Sequence, residues 1–215
     1  MWQSINMGCF PLAALGVAMT GILEIAMVKN IMIVGVGGQG ALLASKTLGQ
    51  VLLDAGYDVK VSEVHGMSQR GGSVVTYVRY GDKVYSPIVD KGEADFIVSF
   101  ELLEAARYTE YLRKGGQIVV NTQKIDPMPV ITGAAEYPED LVGTMKAAGF
   151  NVDALDCLTL AEQAGTAKSV NIVLMGLLSK YMDFSEDAWL SAIEKLVKPQ
   201  FLEMNKKAFK LGRGE

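Results

Sequence analysis

Cysteine and histidine are almost missing from this chain. Its 215 residues hold two cysteines, Cys9 and Cys157, one histidine, His65, and no CxxC pair. That excludes a self-contained four-cysteine iron–sulfur site, a thiolate zinc site and a multi-histidine metal site. No disulfide framework is to be expected, which suits a reducing cytoplasm. Basic charge is not in excess either. Twenty Lys and Arg stand against 24 Asp and Glu, a net charge of -4, and short basic clusters occur only at Lys206–Lys207 and near Arg113–Lys114. A surface that tracks phosphates shows the opposite balance, so nucleic-acid binding is not expected.

A membrane span is poorly supported. Met7 to Leu23 is uncharged and largely apolar, but no Lys or Arg precedes it, and Pro11, several glycines and Glu24 interrupt the pattern. A secretory leader or a span would carry basic flanks. Leu23-Glu24-Ile25-Ala26, just before Met27, reads like a translated ribosome-binding site. Residues 1–26 are therefore expected to be either upstream sequence before a true start at Met27 or an apolar extension, a short helix or membrane-leaning tail. What remains, residues 27–215, is half apolar and long enough for one sizeable core.

From Met27 the pattern is that of an alternating α/β domain. Ile31 to Val34 reads as a buried strand and Gly40 to Ala55 as a helix stopped by Gly56. Val59 to Val64 reads as a second strand, and the three elements are expected to form a parallel βαβ unit. Val74 to Tyr80 and Val84-Tyr85, around Gly81-Asp82, predict a hairpin that adds antiparallel strands at one edge. Further strands are expected at Phe96–Val98, Gln117–Val120 and Val152–Leu155. Helices are expected at Glu101–Leu112, ending at Gly115-Gly116, and at Glu139–Ala148, with a loop at Asp126–Pro129 between. The tail reads as three helices: Val170–Tyr181, Glu186–Val197 with Ser185 as N-cap, and a last one opened by Pro199. The fold class is α/β, a single Rossmann-like domain with a mostly parallel sheet, an antiparallel hairpin edge and C-terminal helices.

Two segments carry the chemistry. Gly35-Val36-Gly37-Gly38-Gln39-Gly40 satisfies G-x-G-x-x-G between a strand and a helix, where backbone N–H groups and the helix dipole suit a phosphate. Glu63 falls near where an NAD-binding fold places its ribose-binding carboxylate, somewhat farther from the first glycine than usual. Equally, the glycines could only let helix and strand pack closely. The second segment is the loop from Glu63 to Ser73, which gathers Glu63, His65, Ser68, Gln69, Arg70, Gly71, Gly72 and Ser73 at a strand's carboxyl end. Arg70 between glycines could hold a carboxylate or phosphate bidentately, and His65 could move protons near neutral pH. A loop anchor or an interface salt bridge is the plainer role for the same residues. No G-x-S-x-G elbow is present, so a serine-hydrolase reading fails.

The pairing of GVGGQG with SEVHGMSQRGGSV a short way on resembles the small (beta) subunit of indolepyruvate:ferredoxin oxidoreductases. More loosely it resembles the gamma subunits and domains of pyruvate and other 2-oxoacid:ferredoxin oxidoreductases. Those tend to carry a Gly-Pro-Glu element before the Arg-Gly pair; here His65-Gly66-Met67-Ser68-Gln69 stands instead, favouring the indolepyruvate branch. The resemblance runs from about Met27 to the end, including Lys168–Asn171 and Pro199–Asn205 with Ala208-Phe209, and it implies a gamma-type domain over 27–215.

The resemblance also implies a reaction: an aryl pyruvate and coenzyme A give an aryl-acetyl-CoA and carbon dioxide, and two electrons pass to ferredoxin. Thiamine diphosphate, Mg²⁺ and [4Fe-4S] clusters would then sit on a large partner subunit, with coenzyme A as co-substrate and no cofactor held by this chain. The residues agree, for Gly81-Asp82-Lys83 lacks the second half of a thiamine motif. In that setting the two glycine-rich segments would line the cleft facing the partner, and Glu63, His65 and Arg70 are the candidates for a catalytic part. A free-standing NAD(P)- or flavin-binding oxidoreductase and a non-catalytic scaffold are the other functions the sequence permits. The first predicts nucleotide retained by the isolated chain.

Overall fold

The apolar run after Val28 forms the middle strand of a sheet, β1 (Lys29–Val36). Its alternate residues go to opposite faces, as the two-residue period of a strand requires. Ile31 and Ile33 enter one core, and Met32 and Val34 the other. Burial on both sides explains why this segment is apolar throughout rather than alternating. The computed structural model describes residues 28–65 and 72–215; the expectation for residues 1–26 lies outside them.

Five further strands complete the sheet: β2 (Asp58–His65), β3 (Ser73–Gly81), β4 (Ala94–Ser99), β5 (Leu112–Asn121) and β6 (Asn151–Leu155), in the order β2-β3-β1-β4-β5-β6. The four strands β1, β4, β5 and β6 run parallel, and β3 is antiparallel to both β1 and β2. The expected class, a mostly parallel sheet with an antiparallel edge, is what forms.

Its edge is built differently from the expectation. β2 does not lie parallel beside β1; β3 stands between them. The hairpin joins β2 to β3, not β3 to Val84-Tyr85. Composition explains the order. β3 is largely buried along its length, as an interior strand must be. β2 leaves Val61 and Val64 half exposed and carries Lys60 and Glu63, which suits a solvent edge. Val84 instead donates its N–H to Asp58 Oδ2 at 2.9 Å, and Tyr85 is 89% exposed.

A second correction concerns Glu101–Leu112. Helix α2 spans only Leu102–Arg107, followed by a 3₁₀ turn at Thr109–Tyr111, and β5 already begins at Leu112. The Gly115-Gly116 pair does not stop a helix. It sits inside β5, with Gly115 at φ +77°, where the pairing with β4 shifts register.

On one face of the sheet lie α1 (Ala41–Asp54), α5 (Cys157–Ala164), α6 (Val170–Ser179), α7 (Glu186–Leu196) and α8 (Leu202–Arg213). On the other lie α2 and α4 (Leu141–Ala147). The short α3 (Met128–Ile131) occupies part of the expected loop, and α5 was not anticipated at all. Ser185 caps α7 as expected, its Oγ accepting from the Ala188 N–H at 3.3 Å. Pro199 opens a 3₁₀ turn, Pro199–Phe201, that leads into α8. Among the described residues no helix is long and apolar enough to cross a membrane.

Candidate functional site

The glycine motif forms a tight turn from the end of β1 into α1, and its glycines have distinct reasons. A Cβ on Gly35 would stand 2.8 Å from Gln39 Oε1 and 2.9 Å from Phe100 Cβ. Gly40, the N-cap of α1, has φ +88°, and a Cβ there would meet Asn171 Nδ2 at 2.9 Å. Gly38 also has positive φ but faces open space. Gln39 is committed to shaping the turn. Its Oε1 accepts from the Val36 N–H at 2.7 Å, while its Nε2 donates to the Phe100 carbonyl and to Gln123 Oε1, both at 3.1 Å.

A cleft of about 490 Å³ opens beside this turn, lined by Val36 to Leu42, Glu63 and Val74. The start of α1 has no side-chain cap and no acidic residue in its first turn. Its N–H groups and dipole therefore favour an anion there. The second sequence motif reaches the same place. The Gly37 N–H donates to the Gly72 carbonyl at 2.9 Å, so the turn and the end of the loop are physically joined.

The sequence-predicted residues divide as follows. Gly35, Gly37, Gly38, Gln39 and Gly40 make the turn. Glu63 lines the cleft from β2, exposed, with the Thr76 hydroxyl donating to it at 3.4 Å. Because β3 separates β2 from β1, Glu63 does not end a strand adjacent to β1, as a ribose-binding carboxylate of a dinucleotide fold does. His65 closes β2 opposite Val74. Ser68, Gln69, Arg70 and Gly71 lie outside the described residues. The Ser73 hydroxyl turns inward, donating to Glu104 Oε2 at 2.6 Å and lying 3.2 Å from the Tyr108 hydroxyl.

Sequence reasoning missed the polar residues that hold this end of the sheet. Asn121 Nδ2 donates to the Phe100 carbonyl at 3.1 Å, and its Oδ1 accepts from the Cys157 N–H at 3.1 Å. Glu101, 1% exposed, caps α2 by accepting from the Glu104 N–H at 2.8 Å. It also takes the Ile125 N–H and the hydroxyl of Tyr137. Burial, reinforced by Glu101, pushes the Tyr137 phenol far above its ordinary range. Each of these is a single polar residue at the end of a different strand or loop, a signal no spacing rule detects. Cys157 is fully buried in the core, and that burial pushes its thiol up strongly, which disfavours the thiolate. Among the described residues no group of three His, Cys, Asp or Glu could hold a metal ion.

With that geometry in view, residues 30–215 match the family model described as pyruvate ferredoxin/flavodoxin oxidoreductase. The chain belongs to this family. Within it, the indolepyruvate oxidoreductase subunit IorB of Thermococcus kodakarensis is 46% identical over 190 residues, covering 85% of this chain and 93% of the relative. The subunit of the same name from Archaeoglobus fulgidus is 39% identical over 187 residues, 85% of this chain and 92% of the relative. Among solved structures, pyruvate oxidoreductase subunit PORC from Thermotoga maritima is 25% identical with a TM-score of 0.69, covering 87% of this chain and 96% of that one.

Proposed function

We propose that this chain is the small subunit of an indolepyruvate:ferredoxin oxidoreductase. The assembled enzyme converts an aryl pyruvate and coenzyme A to an aryl-acetyl-CoA and carbon dioxide, and the two electrons released reduce ferredoxin. The observation that carries the reading is 46% identity, over 93% of its length, to a relative named indolepyruvate oxidoreductase subunit IorB. The free-standing NAD(P)- or flavin-dependent alternative is disfavoured by the sheet order, since β3 occupies the place where a dinucleotide fold sets its second parallel strand.

The residues of this chain do not fit the family's cofactors. Two cysteines in the whole sequence, one of them fully buried in the core, cannot ligate a four-cysteine cluster. Gly81-Asp82, the nearest thing to a thiamine motif, lies at the end of β3 with Asp82 exposed, and no asparagine completes the motif at the usual spacing. This reading assigns thiamine diphosphate, Mg²⁺ and [4Fe-4S] clusters to a large partner subunit and gives this chain no redox activity of its own. Its own part is to close the partner's site. In this reading the glycine turn, bonded to Gly72 through the Gly37 N–H, and the Glu63–Ser73 segment face the partner's site, help exclude water and receive the phosphates of coenzyme A.

Arg70→Ala tests this in the co-purified complex. A drop in turnover with intact assembly supports the reading, and unchanged kinetics removes it. Loss of assembly would instead make the loop purely an interface.

A further inference from the structure

A second cleft, of about 510 Å³, lies on the α1 side of the sheet and shares no lining residue with the cleft at the glycine turn. Its floor is apolar: Leu43 of α1, Leu196 and Val197 at the end of α7, and Phe201 and Met204 at the start of α8. Gly165, which ends α5 at φ +123°, keeps one wall open; a Cβ there would press to 3.3 Å from Met204 Cγ.

The charge over that floor has one sign. The titratable residues lining the cleft are Lys168 and Lys198, with no carboxylate among them. The other lysines near this end are engaged: Lys195 with Asp54, Lys206 with Glu194 and Glu203, Lys210 with Glu186. Among the described residues neither Lys168 nor Lys198 has an acidic partner. Glu203, next to Met204, is turned toward Lys206.

Two further features point the same way. Ser169 and Phe201, the N-caps of α6 and α8, both line the cleft, and neither supplies a side-chain cap. Two helix dipoles thus add their positive ends to two ammonium groups. Buried Ser169 and Asn205 bond each other at 3.2 Å, and Asn205 Nδ2 donates to the Phe201 carbonyl at 2.8 Å, which fixes the polar wall in place. In a chain of net charge -4, this is cationic charge set over an apolar floor.

We infer that this cleft binds a small carboxylate with an apolar body. The volume falls within the range of about 300–1,000 Å³ usual for small-molecule sites. A bare phosphate would leave the apolar floor unused, and a neutral hydrocarbon would leave both ammonium groups unused. Lysines act as point charges, suited to a carboxylate held over the apolar floor. The inference stands apart from the oxidoreductase reading, because it uses neither the glycine turn nor the Glu63–Ser73 loop.

Calorimetric titration with naphthylacetate and with its neutral isostere naphthylacetamide tests it, on the full chain and on the complex with its partner subunit. The expected result is saturable one-to-one binding of the acid in both preparations, with the amide at least about tenfold weaker. The double variant Lys168→Gln/Lys198→Gln should bind the acid as weakly as the native chain binds the amide. Met204→Trp, which fills the floor, should abolish binding of both; a thermal melt confirms that each variant is folded. Equal affinity for acid and amide, or an unaffected lysine variant, overturns the inference, as does the absence of saturable binding. Binding by the free chain that vanishes in the complex overturns it too, for the cleft is then a seat for the partner.

Discussion

Gln39 and Gln123, far apart in the sequence, are joined side chain to side chain at 3.1 Å. Since Gln39 also holds the Val36 N–H and the Phe100 carbonyl, it ties the ends of β1 and β4 to the loop after β5. Gln39→Leu keeps the bulk and removes every bond. It should cost about 1–3 kcal/mol, the usual penalty for stranding buried polar groups. A urea midpoint equal to that of the native chain would show that the glycines shape the turn unaided.

The glycines of the turn should differ in their tolerance of a side chain. Gly38→Ala meets no neighbour and bears only the left-handed backbone, a cost of about 1–2 kcal/mol. Gly40→Ala adds a collision with Asn171 and should lose more. In Gly40→Ala/Asn171→Ala the collision disappears, so the double variant should fall short of the sum of the two singles. Strict additivity in thermal denaturation would contradict the contact.

At the opposite end of the sheet, Asp95 is a buried hub. Its Oδ2 accepts from the Asn30 N–H at 2.8 Å, and its Oδ1 faces Arg113 Nε at 2.9 Å and Lys29 Nζ at 3.3 Å. Asp95→Ala strands that N–H and should cost about 2–3 kcal/mol. Arg113 is half exposed, so Arg113→Ala should cost less than about 1 kcal/mol. Equal losses on chemical denaturation would refute the assignment of Asp95 as the buried anchor.

Tyr80 gives the fold an alkaline limit. It packs edge-on against Tyr57 at 5.2 Å, and burial, aided by nearby Asp95, pushes its phenol up to about 12. A group raised in the native state contributes fully below its unfolded pKa near 10 and loses that contribution as pH climbs through the native value. Stability should therefore fall between about pH 10 and 12. Tyr80→Phe should flatten that fall without altering the neutral-pH midpoint. The Tyr181 phenol, also pushed up to about 12 by burial and its bond to Asp153, should leave a residual slope.

Element types were legible where the period was long or the residues strongly apolar. β1, α1 and α6 follow directly from Ile31–Val34, from the leucines of 42–52 and from Val170–Leu178. Strand order was not, because Val59–Val64 and Val74–Tyr80 both alternate and either could neighbour β1. What decides is the solvent-facing polarity of β2 against the two-sided burial of β3, a comparison between strands that no single window contains. Gly115-Gly116 misled for a related reason: a glycine pair after a helix-like stretch marks a stop or a bulge, and only the pairing with β4 tells which. At the site, the glycine turn was readable, whereas Glu101, Asn121 and Gln123 act through positions brought together only by the parallel crossovers.

The placement of β3 also bears on how the protein fails. Ile31-Met32-Ile33-Val34 is shielded on one side by β4 and on the other by a strand that belongs to a locally closed hairpin. Such a hairpin can lift off as a unit while the parallel half of the sheet stays formed. That single opening would turn the run Ile31–Val34, uncharged and without proline, into a free edge ready to template pairing with another chain. Detachment of β2 and β3 would thus open a route to aggregation that stops well short of global unfolding.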